Sequence, residues 1–183
     1  MSGIADRGVA SGYDREVQTE LVRLHARIIR RMPWVQAILV ASVGAIVFRY
    51  VPLFGLLAGC SITIGVETLR AIYASRLLSA DVTFDSTRAH RVFVAWAFAA
   101  GSAVGVGAAL CFGYLPIEDQ AVLGIVLFAM PAAGVAVSQS SRYIAAAYCL
   151  SILLPATATW GRLHPEQAIA AAVMTILDRK SVV

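Results

Sequence analysis

The chain alternates long apolar runs with short polar breaks. Five runs of span length follow one another from Pro33 onward, at about 33–50, 52–69, 92–114, 120–137 and 143–160. A membrane-crossing helix needs about 20 predominantly apolar residues, and each run meets that length. The breaks carry helix-stopping chemistry. They are a tight turn at 49–52, a polar segment at 79–91, the acidic turn Leu115-Pro116-Ile117-Glu118-Asp119, the polar turn 138–142, and Gly161-Arg162-Leu163-His164-Pro165. A sixth apolar helix begins near Glu166 and has run only about 11 residues, too few for a span, when the character changes after Leu177. The pattern predicts an all-α fold: a polytopic transmembrane helical bundle of five complete spans plus a truncated sixth.

An amphipathic helix is expected ahead of the first span. Val17, Leu21, Leu24 and Ile28 fall at i, i+4, i+7 and i+11, one stripe of a 3.6-residue period. Arg15, Arg23, Arg27, Arg30 and Arg31 give the rest of its surface positive charge. Such a helix either lies on an anionic membrane surface or extends the first span into the cytosol. The Gly/Ser-rich residues 1–13 are expected to fray. Pro33 suits a first helical turn, and Trp34 and Tyr50 bracket the first run as interfacial aromatics do. Pro131 and Pro155 fall inside the fourth and fifth runs, where they should kink the helices. Neighbouring helices can satisfy the carbonyls they free.

Composition agrees with this reading. The chain of 183 residues is 59% hydrophobic and only 14% charged, against about 45–50% and 25% in soluble domains. That excludes a soluble globule and a disordered chain. The net charge of +4 is small and scattered, unlike a nucleic-acid binder. Cys60, Cys111 and Cys149 fall in three different apolar runs, so neither a disulfide framework nor a zinc site is expected.

Charge also orients the chain. With the N-terminus inside, the inner segments hold Arg7, Arg15, Arg23, Arg27, Arg30, Arg31, Arg70, Arg76, Arg88, Arg91 and Arg142, and the outer turns hold only Arg49 and Arg162. This asymmetry places the N-terminus in the cytoplasm of a bacterial inner membrane.

Glu67 is the ionisable residue well within a span. An intramembrane acid is a functional candidate, for example as the proton carrier of a small exporter. The plainer and favoured reading is an i,i+3 pair with Arg70 near the headgroups. Small residues at four-residue spacing, Gly55 and Gly59 in the second run and Gly101, Gly105 and Ala109 in the third, predict close helix packing, with dimerisation as a further use. His25, His90 and His164 are read as lying in separate loops. They are not arranged as haem or metal ligands, and no catalytic constellation, metal site or cofactor site is expected.

The order of parts resembles a known arrangement. A basic N-terminal helix, Glu16 to Arg31, leads into closely spaced helical hairpins. Glu67-Thr68-Leu69-Arg70 closes the second helix, and Arg88-Ala89-His90-Arg91 leads into the third, with Trp96 one turn within it. A proline-bearing fourth helix precedes a fifth around Leu153-Leu154-Pro155. Over roughly 14–177 this is similar to the six-helix membrane input region of bacterial GGDEF/EAL cyclic-di-GMP signalling proteins and of sensor histidine kinases. The resemblance implies a sensor module that passes a signal from an unknown ligand through its last helix to a cytoplasmic output domain. That domain would be most often a diguanylate cyclase, within a homodimer. No GGDEF, EAL or kinase motif is present here, so no catalytic residue carries over.

The final six residues fit this reading. Asp178-Arg179-Lys180-Ser181-Val182-Val183 contains the sole lysine and resembles the translation of a common sequencing adapter. The expected organisation is therefore a cytoplasmic N-terminus at 1–31, a membrane sensor module at 32–177 and a non-native tail at 178–183. A small proton-coupled transporter using Glu67 and a structural membrane protein without a ligand are the competing readings.

Overall fold

The computed structural model describes residues 3–79, 85–137 and 141–167, with side chains at 16–79, 85–130 and 141–167. These residues form six helices and no strands: α1 Gly3–Ile29, α2 Met32–Val47, α3 Leu53–Ser79, α4 Ser86–Phe112, α5 Ile117–Val137 and α6 Arg142–Leu163. The tail and nearly all of the expected sixth apolar helix lie outside the described residues.

Several boundaries differ from the sequence expectation. Helix α1 starts at Gly3, so the segment expected to fray is helical. Helix α4 starts inside the segment expected to be a loop, because the Asp85 carboxylate accepts from the backbone N–H groups of Thr87 at 3.0 Å and Arg88 at 3.3 Å. This N-cap satisfies amides that would otherwise be orphaned. Ser141 caps α6 in the same way, accepting from Ile144 N–H at 3.4 Å.

The number of spans is also smaller by length and apolarity. Three described helices, α3, α4 and α6, are long and apolar enough to cross a membrane, which marks a membrane protein rather than the expected five complete spans. Helix α2 has 16 residues and rises only about 24 Å at 1.5 Å per residue, because the chain turns at 48–51 ahead of Pro52. Helix α5 has 21 residues, but Pro131, expected to kink it, is among residues whose side chains are outside the description.

The surface is inverted relative to a soluble protein. The buried stripe of α3 is Thr63, Glu67, Arg70, Ala71 and Ala74, while Phe54, Leu57, Ile62 and Leu69 face outward. In α2 the buried residues are Gln36 and Val47, with Trp34, Val35 and Ile38 outward. Polar groups point inward and large apolar groups point out, as lipid solvation requires.

The helices alternate in direction. The starts of α2, α4 and α6 and the end of α3 therefore gather at the end where α1 docks. Two apolar clusters fill the interior. One joins Val22, Ala26 and Ile29 of α1 to Ala74, Ala89, Phe93, Ala97 and Ile144 at this α1 end. The other joins Val47, Phe112, Leu115, Leu123, Leu127 and Ile152 toward the opposite end.

Helices α4 and α6 share the largest interface, and they run parallel. Gly101 and Gly105 lie against Tyr148, Ser151 and Ile152. A Cβ built on Gly105 would meet the Ser151 and Ile152 carbonyl oxygens at 2.6 Å. Pro155 has no N–H to offer the Ser151 carbonyl four residues before it. That carbonyl instead abuts Gly105, so the proline and the glycine are matched across the interface. The buried line of α4 follows the helical period through Ala97, Gly101, Gly105, Ala108 and Phe112, leaving Ala109 half-buried. By contrast, Gly55 and Gly59 face open space.

A single methyl group tests this packing. Gly105→Ala should destabilise the bundle by roughly 1–3 kcal/mol, as overpacking does. Gly59→Ala should leave the thermal midpoint in detergent unchanged or slightly raised.

Candidate functional site

The inward polar stripe of α3 places two charges inside the protein. Arg70 Nη1 donates to Glu67 Oε1 at 3.3 Å, with both side chains about one-twentieth exposed. The i,i+3 spacing permits the contact, but 3.3 Å is longer than the 2.7–2.9 Å typical of a charge-assisted bond. Glu67 Oε2 and Arg70 Nε find no partner among the described residues. The i,i+3 pair anticipated from the sequence is present, and it is buried within the helix bundle.

Three polar groups missed in the sequence lie on the neighbouring helices α6, α2 and α1. Tyr148 on α6 packs against both apolar clusters and lies within electrostatic reach of Glu67 and Arg70. Counting back from the turn at 48–51, Gln36 on α2 comes level with Thr63, about one helical turn short of Glu67. It is buried, and its Nε2 lacks a partner. His25 on α1 is only 1% exposed, and neither ring nitrogen has a hydrogen-bond partner among the described residues. Its ring meets Phe93 edge-on at 5.1 Å, and Phe93 in turn meets Tyr73 at 5.5 Å.

The helix that carries His25 is turned by about one residue from expectation. Its inner face is Val22, His25, Ala26 and Ile29, whereas Val17, Leu21 and Leu24 are outward. Both stripes have helical spacing. The inner one is harder to see because it includes a histidine and an alanine.

Of the other histidines, His90 is carried by a helix rather than a loop, whereas His164 lies just past the end of α6, in the turn expected for it. His90 on α4 hydrogen-bonds through Nε2 to Ser141 Oγ at 2.7 Å. It therefore joins α4 to the start of α6, and together with His25 it lines one cleft. His164 Nε2 meets Gln120 Oε1 at 2.7 Å. Gln120 Nε2 already donates to the Phe112 and Leu115 carbonyls, at 3.0 and 2.9 Å. The Gln120 oxygen must accept, so His164 Nε2 is the donor. This clamp ties together the far ends of α4 and α6. Cys60, Cys111 and Cys149 are free thiols, and no group of three metal-ligating side chains occurs among the described residues.

A charged pair with unsatisfied atoms is costly to keep buried in an apolar interior. Burial, reinforced by the positive charge of Arg70 and then of His90, pushes the His25 imidazole down to about 4.

Two predictions follow from these groups. Arg70→Met alone should cost about 3–5 kcal/mol, because it leaves a buried carboxylate unpaired. The double variant Arg70→Met/Glu67→Gln should recover much of that loss, as measured by denaturant melts. For His25, the unfolded chain binds a proton near pH 6.5 and the folded chain near pH 4. Stability should be insensitive to this group above 6.5 and fall by at most about 1.4 kcal/mol per unit as pH drops toward 4. His25→Leu should flatten this part of the profile, and an unchanged slope would contradict the assignment. No protein-family model matches the chain, and no curated protein or solved structure is significantly similar to it.

Proposed function

We propose that the chain is the membrane-embedded input module of a bacterial signal-transduction protein, anchored in the lipid bilayer of the inner membrane with its N-terminus cytoplasmic. The observation that carries this reading is the incompletely satisfied Glu67–Arg70 pair, buried where α1 docks on the bundle. Small rotations of α3, α6 or α1 would exchange its partners. Such an element can hold two packings of similar energy, and a signal that favours one of them shifts the population.

The distribution of arginine supports the orientation. Among described side chains, Arg23, Arg27, Arg30, Arg31, Arg70, Arg76, Arg88, Arg91 and Arg142 belong to the α1 half, and Arg49 and Arg162 lie at the opposite end. In this reading α2 and α5 also cross the membrane, giving five spans. A completed sixth helix returns to the cytoplasm and joins an output domain, most often a diguanylate cyclase and alternatively a histidine kinase, that works as a homodimer.

A proton-coupled transporter is the second reading. It is less favoured because Glu67 is tied to Arg70 and lines neither the cavity beside Arg30 and Thr68 nor the cleft beside His25 and His90.

Reading the genomic locus past codon 177 tests the proposal. A reading frame that continues through the rest of a sixth helix into several hundred further codons is expected. A stop codon there in clean, well-covered sequence would overturn it. Transport would instead be supported by substrate-dependent proton movement that is lost in Glu67→Gln.

A further inference from the structure

At the α1 end, a cleft of about 410 Å³ opens between α1, α4 and α6. Its composition is divided. Leu21, Val22, Phe93 and Ile144 supply apolar wall, while His25, His90, Ser141 and Arg142 supply polar groups. The Glu67–Arg70 pair is not part of it.

Two independent features indicate an occupant. His25 is 1% exposed, lines the cleft, and has both ring nitrogens unpartnered. A neutral imidazole buried without a partner for its N–H is costly; both nitrogens are covered in this packing, so an acceptor oxygen entering from the cleft would satisfy one as the cleft wall yields around it. Arg142 is the one guanidinium in the lining. Among the described residues it meets no carboxylate; its Nη2 lies 3.2 Å from the Tyr143 hydroxyl, and the group sits over the Tyr143 ring. It also stands at the first position of α6, where the positive end of the helix dipole favours an anion. The start of α4 borders the cleft too, but its cap is the anionic Asp85 carboxylate, whereas the Ser141 hydroxyl that caps α6 is neutral. Positive character is therefore concentrated at α6.

We propose that this cleft binds a small organic monocarboxylate with an apolar body. The carboxylate would sit between Arg142, the amino end of α6 and the His25 N–H, and the body against Leu21, Phe93 and Ile144. One guanidinium beside a neutral histidine balances one negative charge, which favours a monocarboxylate over a doubly charged phosphate monoester. Such a ligand bridges α1 to α6 directly. This inference does not depend on the sensory reading, because binding is measured on this chain whatever domain follows it.

The experiment uses the full chain in nanodiscs, with ring-labelled histidines followed by NMR during titration. The probes are 4-phenylbutyrate, 4-phenylbutanol and inorganic phosphate. Saturable binding of 4-phenylbutyrate should shift the His25 ring signal and raise the thermal midpoint, while the alcohol and phosphate bind at least tenfold more weakly. Arg142→Gln should weaken 4-phenylbutyrate binding at least tenfold, and Arg142→Lys should weaken it less. Arg142 lies at a helix end, and an unchanged melt will verify that each variant is folded.

Equal binding of acid and alcohol would mean apolar partitioning and would overturn the proposal. So would an unaltered affinity in folded Arg142→Gln. A lipid headgroup as the occupant is a separate outcome that also overturns it. In that case the His25 shift would be present without any probe in phosphatidylglycerol nanodiscs, absent in phosphatidylcholine, and resistant to 4-phenylbutyrate.

Discussion

Two charges in an apolar interior constrain everything around them. Glu67 and Arg70 are nearly sealed from the surroundings, and neither can be left alone there without a penalty of several kcal/mol. Their mutual bond is long and satisfies only part of each group. Tyr148 of α6 lies within electrostatic reach of both charges, and His25 of α1 within reach of Arg70. Three features accompany the buried pair. The inner stripe of α3 is polar, α6 crosses close to α4, and α1 is packed onto the bundle rather than standing free.

The close crossing of α4 and α6 places Tyr148 where it is needed. Gly101 and Gly105 remove side chains from one helix at the point where Pro155 releases a carbonyl on the other. The two backbones meet, Ile152 enters one apolar cluster, and Ile144, two turns earlier, enters the other. Tyr148 lies between them. The ends are fixed by polar clamps, His90 with Ser141 at the α1 end and Gln120 with His164 at the opposite end. Movement of α6 would therefore be felt at both ends and at the ion pair.

Much of this architecture can be read in the sequence, and the physical reasons are specific. Apolar runs separated by proline, glycine and charge mark α2 to α6 to within a few residues, because lipid-facing surfaces require sustained hydrophobicity. The Glu67–Arg70 pair is visible from its spacing. Its depth is not, because burial is set by which helices pack against α3, and α1, one of them, carries two overlapping apolar stripes. The Val17, Leu21 and Leu24 stripe has the larger side chains, yet Val22, Ala26 and Ile29 are the ones that pack. His25 becomes part of the site only through this choice. The role of Gly105 likewise differs from that of Gly59 for a tertiary reason: a partner helix lies against one and open space against the other. The start of α4 at Ser86, by contrast, was available in the Asp-Ser-Thr-Arg capping sequence at 85–88.

Helix α1 is an integral part of the bundle, packed in one cluster with Ala74 of α3, one turn beyond the buried pair. Hydrogen–deuterium exchange of the chain in nanodiscs tests this most directly. Docking predicts that amides of 22–29 are protected to a degree comparable with 70–76 of α3, since both belong to one packed cluster and should open together. Exchange of 22–29 within seconds while α3 stays protected would contradict the account.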